Sequence, residues 1–143
     1  MSGRRTRSAA ALLAGLAGTV GLAGCGGPGS GRASEQTIEI TARFSKFTPA
    51  VFDVEPGTTV KLVVHNLDPI GHELIIGDAG VHERHEKGTE PYHASHPGEV
   101  SVPAGETRAT TFTFGATPDQ VVEFGCHLPG HWDYGMRGTV SVL

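Results

Sequence analysis

Cys126, His131 and Met136 follow one another at intervals of five residues. That interval matches neither the two-residue period of a strand nor the 3.6-residue period of a helix. The three side chains converge only if the chain loops about a common point, and Pro129, Gly130, Gly135 and Gly138 supply the turns. A thiolate, an imidazole and a thioether form a soft donor set. Such donors select copper over magnesium or calcium, and two histidines and a cysteine with a weak axial methionine are the ligands of electron-transfer copper sites. Structural zinc needs four strong ligands, usually several cysteines, which one Cys and a Met do not provide. The second imidazole must come from elsewhere in the chain. His72 is the expected source, at the start of a strand just after a turn containing Pro69. Taken singly, Cys126 could be a small core residue, His72 and His131 structural hydrogen-bonding groups and Met136 core filler. Their joint spacing favours ligands.

The remaining histidines weigh differently. His127 directly follows Cys126, and on a strand its side chain points to the opposite face, so it is expected not to share the cysteine's ligand. His65 lies within a strand and is expected to be a non-ligand too. The segment 80–98 (GVHERHEKGTEPYHASHPG) is polar, charged and rich in histidine. It is long for a loop in a small domain, and such loops are commonly functional. His82, His85, His93 and His96 form two His-x-x-His pairs that could take secondary metal, although a solvated surface loop is the commoner outcome. Trp132 and Tyr134 flank His131 and could pack there or form a docking surface.

The elements that must position these residues read as strands. Residues 37–44 and 58–65 alternate with a period of two and are rich in β-branched residues, as are 107–114. Shorter candidates are 51–54, 72–76, 121–125 and 139–143. Turn chemistry separates them at Glu55-Pro56-Gly57, Asp68-Pro69, Gly77-Asp78, Pro103-Ala104-Gly105 and Thr117-Pro118-Asp119. With 21 Gly and 9 Pro among 143 residues, the expectation is an all-β sandwich or barrel in one domain. No convincing long helical period and no internal repeat is present. The net charge is -4, with no basic run after residue 7, which argues against a nucleic-acid partner.

The first 24 residues read as an export signal, with Arg4, Arg5 and Arg7 ahead of an apolar stretch from Ala9 to Ala23. Leu22-Ala23-Gly24-Cys25 resembles the lipobox of bacterial lipoproteins, in which the cysteine becomes the lipidated first residue. The resemblance implies a cell-envelope protein anchored by lipid at Cys25 on the extracytoplasmic face of a bacterial membrane. Residues 25–36 would then be the lipidated Cys and a flexible Gly/Ser-rich tether, and 37–143 the folded domain. Losing the three arginines takes the net charge from -4 to -7. It also leaves Cys126 without a disulfide partner, since the chain has 2 Cys.

Cys-x4-His-x4-Met after a strand, with a histidine some fifty residues upstream, resembles the type 1 (blue) copper site of the cupredoxin family. Its spacing is most like the rusticyanin and auracyanin types, and the resemblance extends to plastocyanin-like members. Phe47-x-Pro49-x-x-Phe52-x-Val54-x-x-Gly57-x-x-Val60 and the loop Asn66 to His72 resemble the family's early strands and first ligand loop. The resemblance covers roughly residues 37–143. It implies a Greek-key β-sandwich of about 7–8 strands with one type 1 copper. His72, Cys126 and His131 would be equatorial ligands and Met136 the axial one. Glu73 stands where family members often place Asn or Ser to tie two ligand loops together. Gly125 and the absence of any His-x-His pair exclude a trinuclear cluster built from this chain alone. The expected function is non-enzymatic single-electron transfer with a redox partner protein, by a monomer. The alternative is copper handling (resistance, storage or delivery) that uses the His-rich loop and a copper donor or acceptor. An enzyme module would need a second copper site or another domain.

Overall fold

The computed structural model describes residues 35–88 and 95–143. The export signal, Cys25, most of the tether and His93 lie outside the described residues. Nine strands form in chain order: β1 (Glu35–Ala42), β2 (Phe47–Thr48), β3 (Val51–Val54), β4 (Thr59–Asn66), β5 (His72–Gly77), β6 (Glu99–Val102), β7 (Thr107–Thr113), β8 (Gln120–Gly125) and β9 (Arg137–Val142). Among the described residues one short helix, α1 (Ala79–Glu86), sits between β5 and β6. A four-stranded sheet has the order β2-β1-β4-β7 and a five-stranded sheet the order β3-β9-β8-β5-β6. Pairing is antiparallel except for β1 with β4 and β3 with β9. This is an all-β sandwich, with β2 and β6, which were not among the expected strands, raising the count above seven or eight.

The alternation of residue types builds the core. In β4 the buried residues Val60, Leu62 and Val64 alternate with more exposed neighbours. They pack with Ile40 of β1 against Leu74, Ile76, Phe124, Val140 and Val142 of the opposite sheet. Two inner faces interdigitating in this way make a sandwich core. Gly138 is required for this packing: a Cβ there would lie 2.2 Å from the Ala50 carbonyl and 2.4 Å from the Phe124 ring.

β5 is buried throughout. Leu74 and Ile76 face the main core, and alternation sends Glu73 and Ile75 to the other face. That outer face is covered by α1, whose Val81 packs against Gly77. The helix falls in the segment expected to be a loop. Asp78 caps it by accepting a hydrogen bond from the Val81 N–H at 2.9 Å. Its sequence, AGVHERHE, carries no apolar stripe, so the helical period was not legible.

The end of β4, the start of β5, the end of β8 and the start of β9 all lie at one end of the sandwich, as the registers require. The two loops joining these strands, residues 67–71 and 126–136, therefore meet there.

Candidate metal centre

The loop after β8 is folded by its own backbone. Cys126 N–H donates to the Met136 carbonyl at 3.0 Å, and Met136 N–H donates to the His131 carbonyl at 2.9 Å. His131 N–H donates to the Leu128 carbonyl at 2.9 Å. Gly130 and Gly135 take positive φ of 81° and 90°, which a glycine adopts without strain. The five-residue spacing thus corresponds to a closed loop, as the sequence implied.

Ligand atoms of His72, Cys126 and His131 all lie within 4.8 Å of one another, and among the described residues this is the one such group of three or more His, Cys, Asp or Glu. Cys126 Sγ is 3.2 Å from His131 Nδ1, and His72 Nδ1 is 3.3 Å from the same nitrogen. Atoms each bound about 2.0–2.3 Å from a common ion are separated by roughly 3.3–3.8 Å, so the triangle is close to the size a metal needs. Cys126 and Met136 are fully buried, His72 nearly so, and His131 is partly exposed. Met136 is tied by two backbone hydrogen bonds to Cys126 and His131, and its buried side chain belongs to the same core cluster as Cys126.

Neighbouring groups fix this arrangement. His72 Nε2–H donates to Asp68 Oδ2 at 2.8 Å, which turns Nδ1 toward the site with its lone pair free. Such a carboxylate behind a histidine orients the ring and raises its basicity as a ligand. Asp68 also accepts from the N–H groups of Phe44 at 2.7 Å and Ser45 at 2.8 Å. Those two residues hold left-handed backbone, with φ of 55° and 51°. Successive left-handed residues aim both N–H groups into one anion-binding hollow, and the carboxylate offsets their strain. Burial alone would raise the Asp68 pKa, but the Ser45 and Phe44 N–H groups and the His72 ring outweigh it and hold it below the ordinary value. Sequence reasoning saw Asp68 only as a turn residue; its position four before His72 was the available signal.

Glu73 takes over the role of the Asn or Ser expected after the first histidine. Its Oε1 accepts the His127 N–H at 2.9 Å, joining β5 to the loop that begins at Cys126. Burial pushes the Cys126 thiol up to about 11, although N–H groups of Glu73 and Leu128 point at its sulfur and favour the thiolate. The His131 ring is held below its ordinary pKa by burial and by His72, against the pull of Asp68. It is therefore neutral, and ready to be a ligand, at neutral pH.

The sequence model of copper-binding proteins of the plastocyanin/azurin family matches residues 34–143. The chain belongs to this family. As a plastocyanin/azurin-family protein it carries copper as its cofactor, and the soft sulfur and two imidazoles of the triangle fit that ion. The chain is 31% identical to a copper-resistant cuproprotein CopI of Rubrivivax gelatinosus, over 80% of this chain and 71% of that one. It is 26% identical to the CopI of Pseudomonas aeruginosa, over 80% of each chain. Among solved structures, an auracyanin from Roseiflexus castenholzii superposes with a TM-score of 0.62 at 23% identity, over 76% of this chain and 97% of that one. That likeness is one of fold.

The other described histidines of this family member lie in three places. His65 bonds to Thr107 Oγ1 at 2.9 Å and to Glu39 at 2.5 Å on the four-stranded sheet, away from the site. His82 and His85, on α1, are brought to His127; His82 Nδ1 lies 2.9 Å from His127 Nε2. His96 is exposed and is joined through its carbonyl to Thr110 Oγ1 at 2.8 Å. The described part of the His-rich segment therefore does not gather at one point. His127 points away from Cys126, to the other face of its sheet, where burial and the nearby His82 and His85 push its pKa down to about 4. No helix among the described residues is long and apolar enough to cross a membrane.

Proposed function

We propose that this protein handles copper outside the cytoplasm, capturing the ion at His72, Cys126 and His131 with Met136 as axial donor, for resistance, storage or delivery. The observation that carries this reading is the likeness over four-fifths of the chain to a protein named a copper-resistant cuproprotein, which joins a triangle of donors already close together. Each residue has a part. Cys126 surrenders its thiol proton and supplies a buried thiolate. His72 is held in one tautomer by Asp68. His131, partly exposed on its own loop, is the side by which an ion enters or leaves. Copper bound there supplies a one-electron couple and a charge that stabilises the thiolate. The lipid anchor at Cys25 would keep the acidic domain at the membrane surface, within reach of a copper donor or acceptor.

Single-electron transfer is the second reading, favoured by the exposed apolar residues Leu67 and Ile70 on the first ligand loop and Tyr134 on the second, a surface on which a redox partner could rest. Growth of a copper-sensitive bacterial host separates the two. The full chain should restore growth at raised copper, and Cys126→Ser should not. Failure of the wild type to protect, with an intense blue band and rapid one-electron cycling in the purified protein, would favour electron transfer.

A further inference from the structure

β5 carries a buried carboxylate directly after its ligand. Glu73 follows His72 and is 5% exposed. The alternation of the strand turns its side chain away from the core, into a recess of ≈ 330 Å³ that it lines with His85, Glu86, His127, Leu128 and Pro129. There Oε1 accepts the His127 N–H at 2.9 Å, one peptide beyond Cys126. The backbone N–H of Glu73 points at the Cys126 sulfur, and the Glu73 charge is one of the causes that hold the metal-free thiol up. Carboxylate and sulfur are therefore close enough for each to sense the other's charge.

Asp68 is a second buried carboxylate at the same centre. Its partners are the Phe44 and Ser45 N–H groups and the His72 ring. With the Cys126 thiolate, three negative charges then surround one ion. Coulomb attraction is proportional to the charge of the ion, so each carboxylate stabilises a divalent ion twice as much as a monovalent one in the same place. Burial limits the screening of that difference by water and salt. A neutral Asn or Ser at position 73 would offer the His127 N–H an acceptor without adding charge, so the tie between the loops does not by itself require a carboxylate.

We propose that Glu73, together with Asp68, makes this centre select Cu(II) over Cu(I), so that the copper the protein handles is the oxidised, divalent ion. The proposal rests on the copper-handling reading for its site and names the form of the ion that reading leaves open. Glu73 is outside the group of ligand atoms formed by His72, Cys126 and His131, and it acts through space on the ion they hold. Selectivity and potential are one quantity here: each tenfold preference for Cu(II) lowers the one-electron reduction potential by about 59 mV.

The test is chelator competition on the metal-free full chain, with Cu(II) and, under anaerobic conditions, with Cu(I), followed by the potential of the copper-loaded protein. Glu73→Gln keeps an acceptor for the His127 N–H and removes the charge. It should lose about tenfold or more affinity for Cu(II) beyond any loss for Cu(I), and its potential should rise by the matching amount. Zn(II), which is divalent and has no redox chemistry, should weaken as Cu(II) does. Glu73→Asp keeps the charge and should hold the wild-type ratio of the two copper affinities, even where both fall. Ser101 stands opposite Glu73 on β6, so Ser101→Lys should shift the ratio in the same direction as Glu73→Gln, and it decides alone if Glu73→Gln does not fold. Equal losses for both ions in Glu73→Gln overturn the proposal, as does an unchanged ratio or a Glu73→Asp variant that shifts as far as Glu73→Gln. A protein with the expected selectivity that fails to protect the copper-sensitive host strikes the copper-handling reading and leaves this one standing.

Discussion

Asp68 does two jobs with one carboxylate. One oxygen accepts the His72 Nε2–H, and the pair of oxygens pins two left-handed residues of the β1–β2 turn. Asp68→Asn keeps the shape but turns an NH₂ toward a donor. We expect a loss of about 1–3 kcal/mol in stability, typical of a buried donor left without an acceptor, checked by urea unfolding of the metal-free protein. We also expect copper affinity to fall by about 10–100-fold, the usual effect of losing the group that orients a ligand histidine. Because the folded-state pKa of Asp68 is lowered, its contribution to stability is complete above the unfolded value near 3.8 and is lost as pH falls through the folded value. Cys126 sets a different pH dependence. Its thiol is pushed up to about 11 without metal, so at neutral pH each copper bound displaces one proton. Apparent copper affinity should therefore rise about tenfold per pH unit between pH 7 and pH 9, where the His131 ring is already neutral. Competition against a chelator of known affinity measures that slope, and a flat profile would show that the thiol is not a ligand.

β8 and the loop after it are joined by a contact that only glycine allows. A Cβ on Gly125 would lie 2.3 Å and 2.5 Å from Trp132 ring carbons, so Trp132 lies flat over the strand, stacked on His127 and beneath the Arg137 guanidinium. Gly125→Ala should displace the indole and cost about 1–3 kcal/mol, as forced overpacking does. The chain has 1 Trp, so its emission maximum reports the displacement directly; an unchanged spectrum and midpoint would mean that the loop yields without cost. This scale also shows what could be read from the sequence. β1 and β4 were legible because one face of each is buried toward its end or throughout and the residue types alternate, and β7 because its β-branched and aromatic residues alternate although little of it beyond Thr110 is buried. Cys126, His131 and Met136 were legible because their spacing is local, and His72 because it begins a strand after a turn. The helix was not, because α1 has no apolar stripe and depends on a cap and on Val81 packing against Gly77. For the same reason the meeting of His82 and His85 with His127 could not be foreseen: it depends on where a helix docks, and no spacing along the chain records that. Glu73 looked like a departure from the family pattern. Its longer side chain reaches the His127 N–H and still ties the two loops together.

On the scale of the whole molecule, binding and location are separable. All four proposed ligands, Asp68 and the sandwich core of the described residues lie between Ile40 and Val142, whereas the anchor is proposed upstream of them in sequence, at Cys25. The stretch from Gly26 to Ser34 between them is rich in Gly and Ser, the composition proposed as a tether for the anchored domain. Copper affinity should not depend on whether the protein is membrane-bound, while access to an envelope partner should. Cys25→Ser tests this. The variant should leave the membrane fraction and appear soluble outside the cytoplasm, with its blue band and copper stoichiometry unchanged. Because a single acyl chain gives only marginal membrane binding and two or more are needed for firm attachment, the wild type should resist extraction by high salt and yield to detergent. Its release by salt alone would mean that it is held by charge, which a mature domain of net charge -7 makes a poor alternative on an anionic membrane.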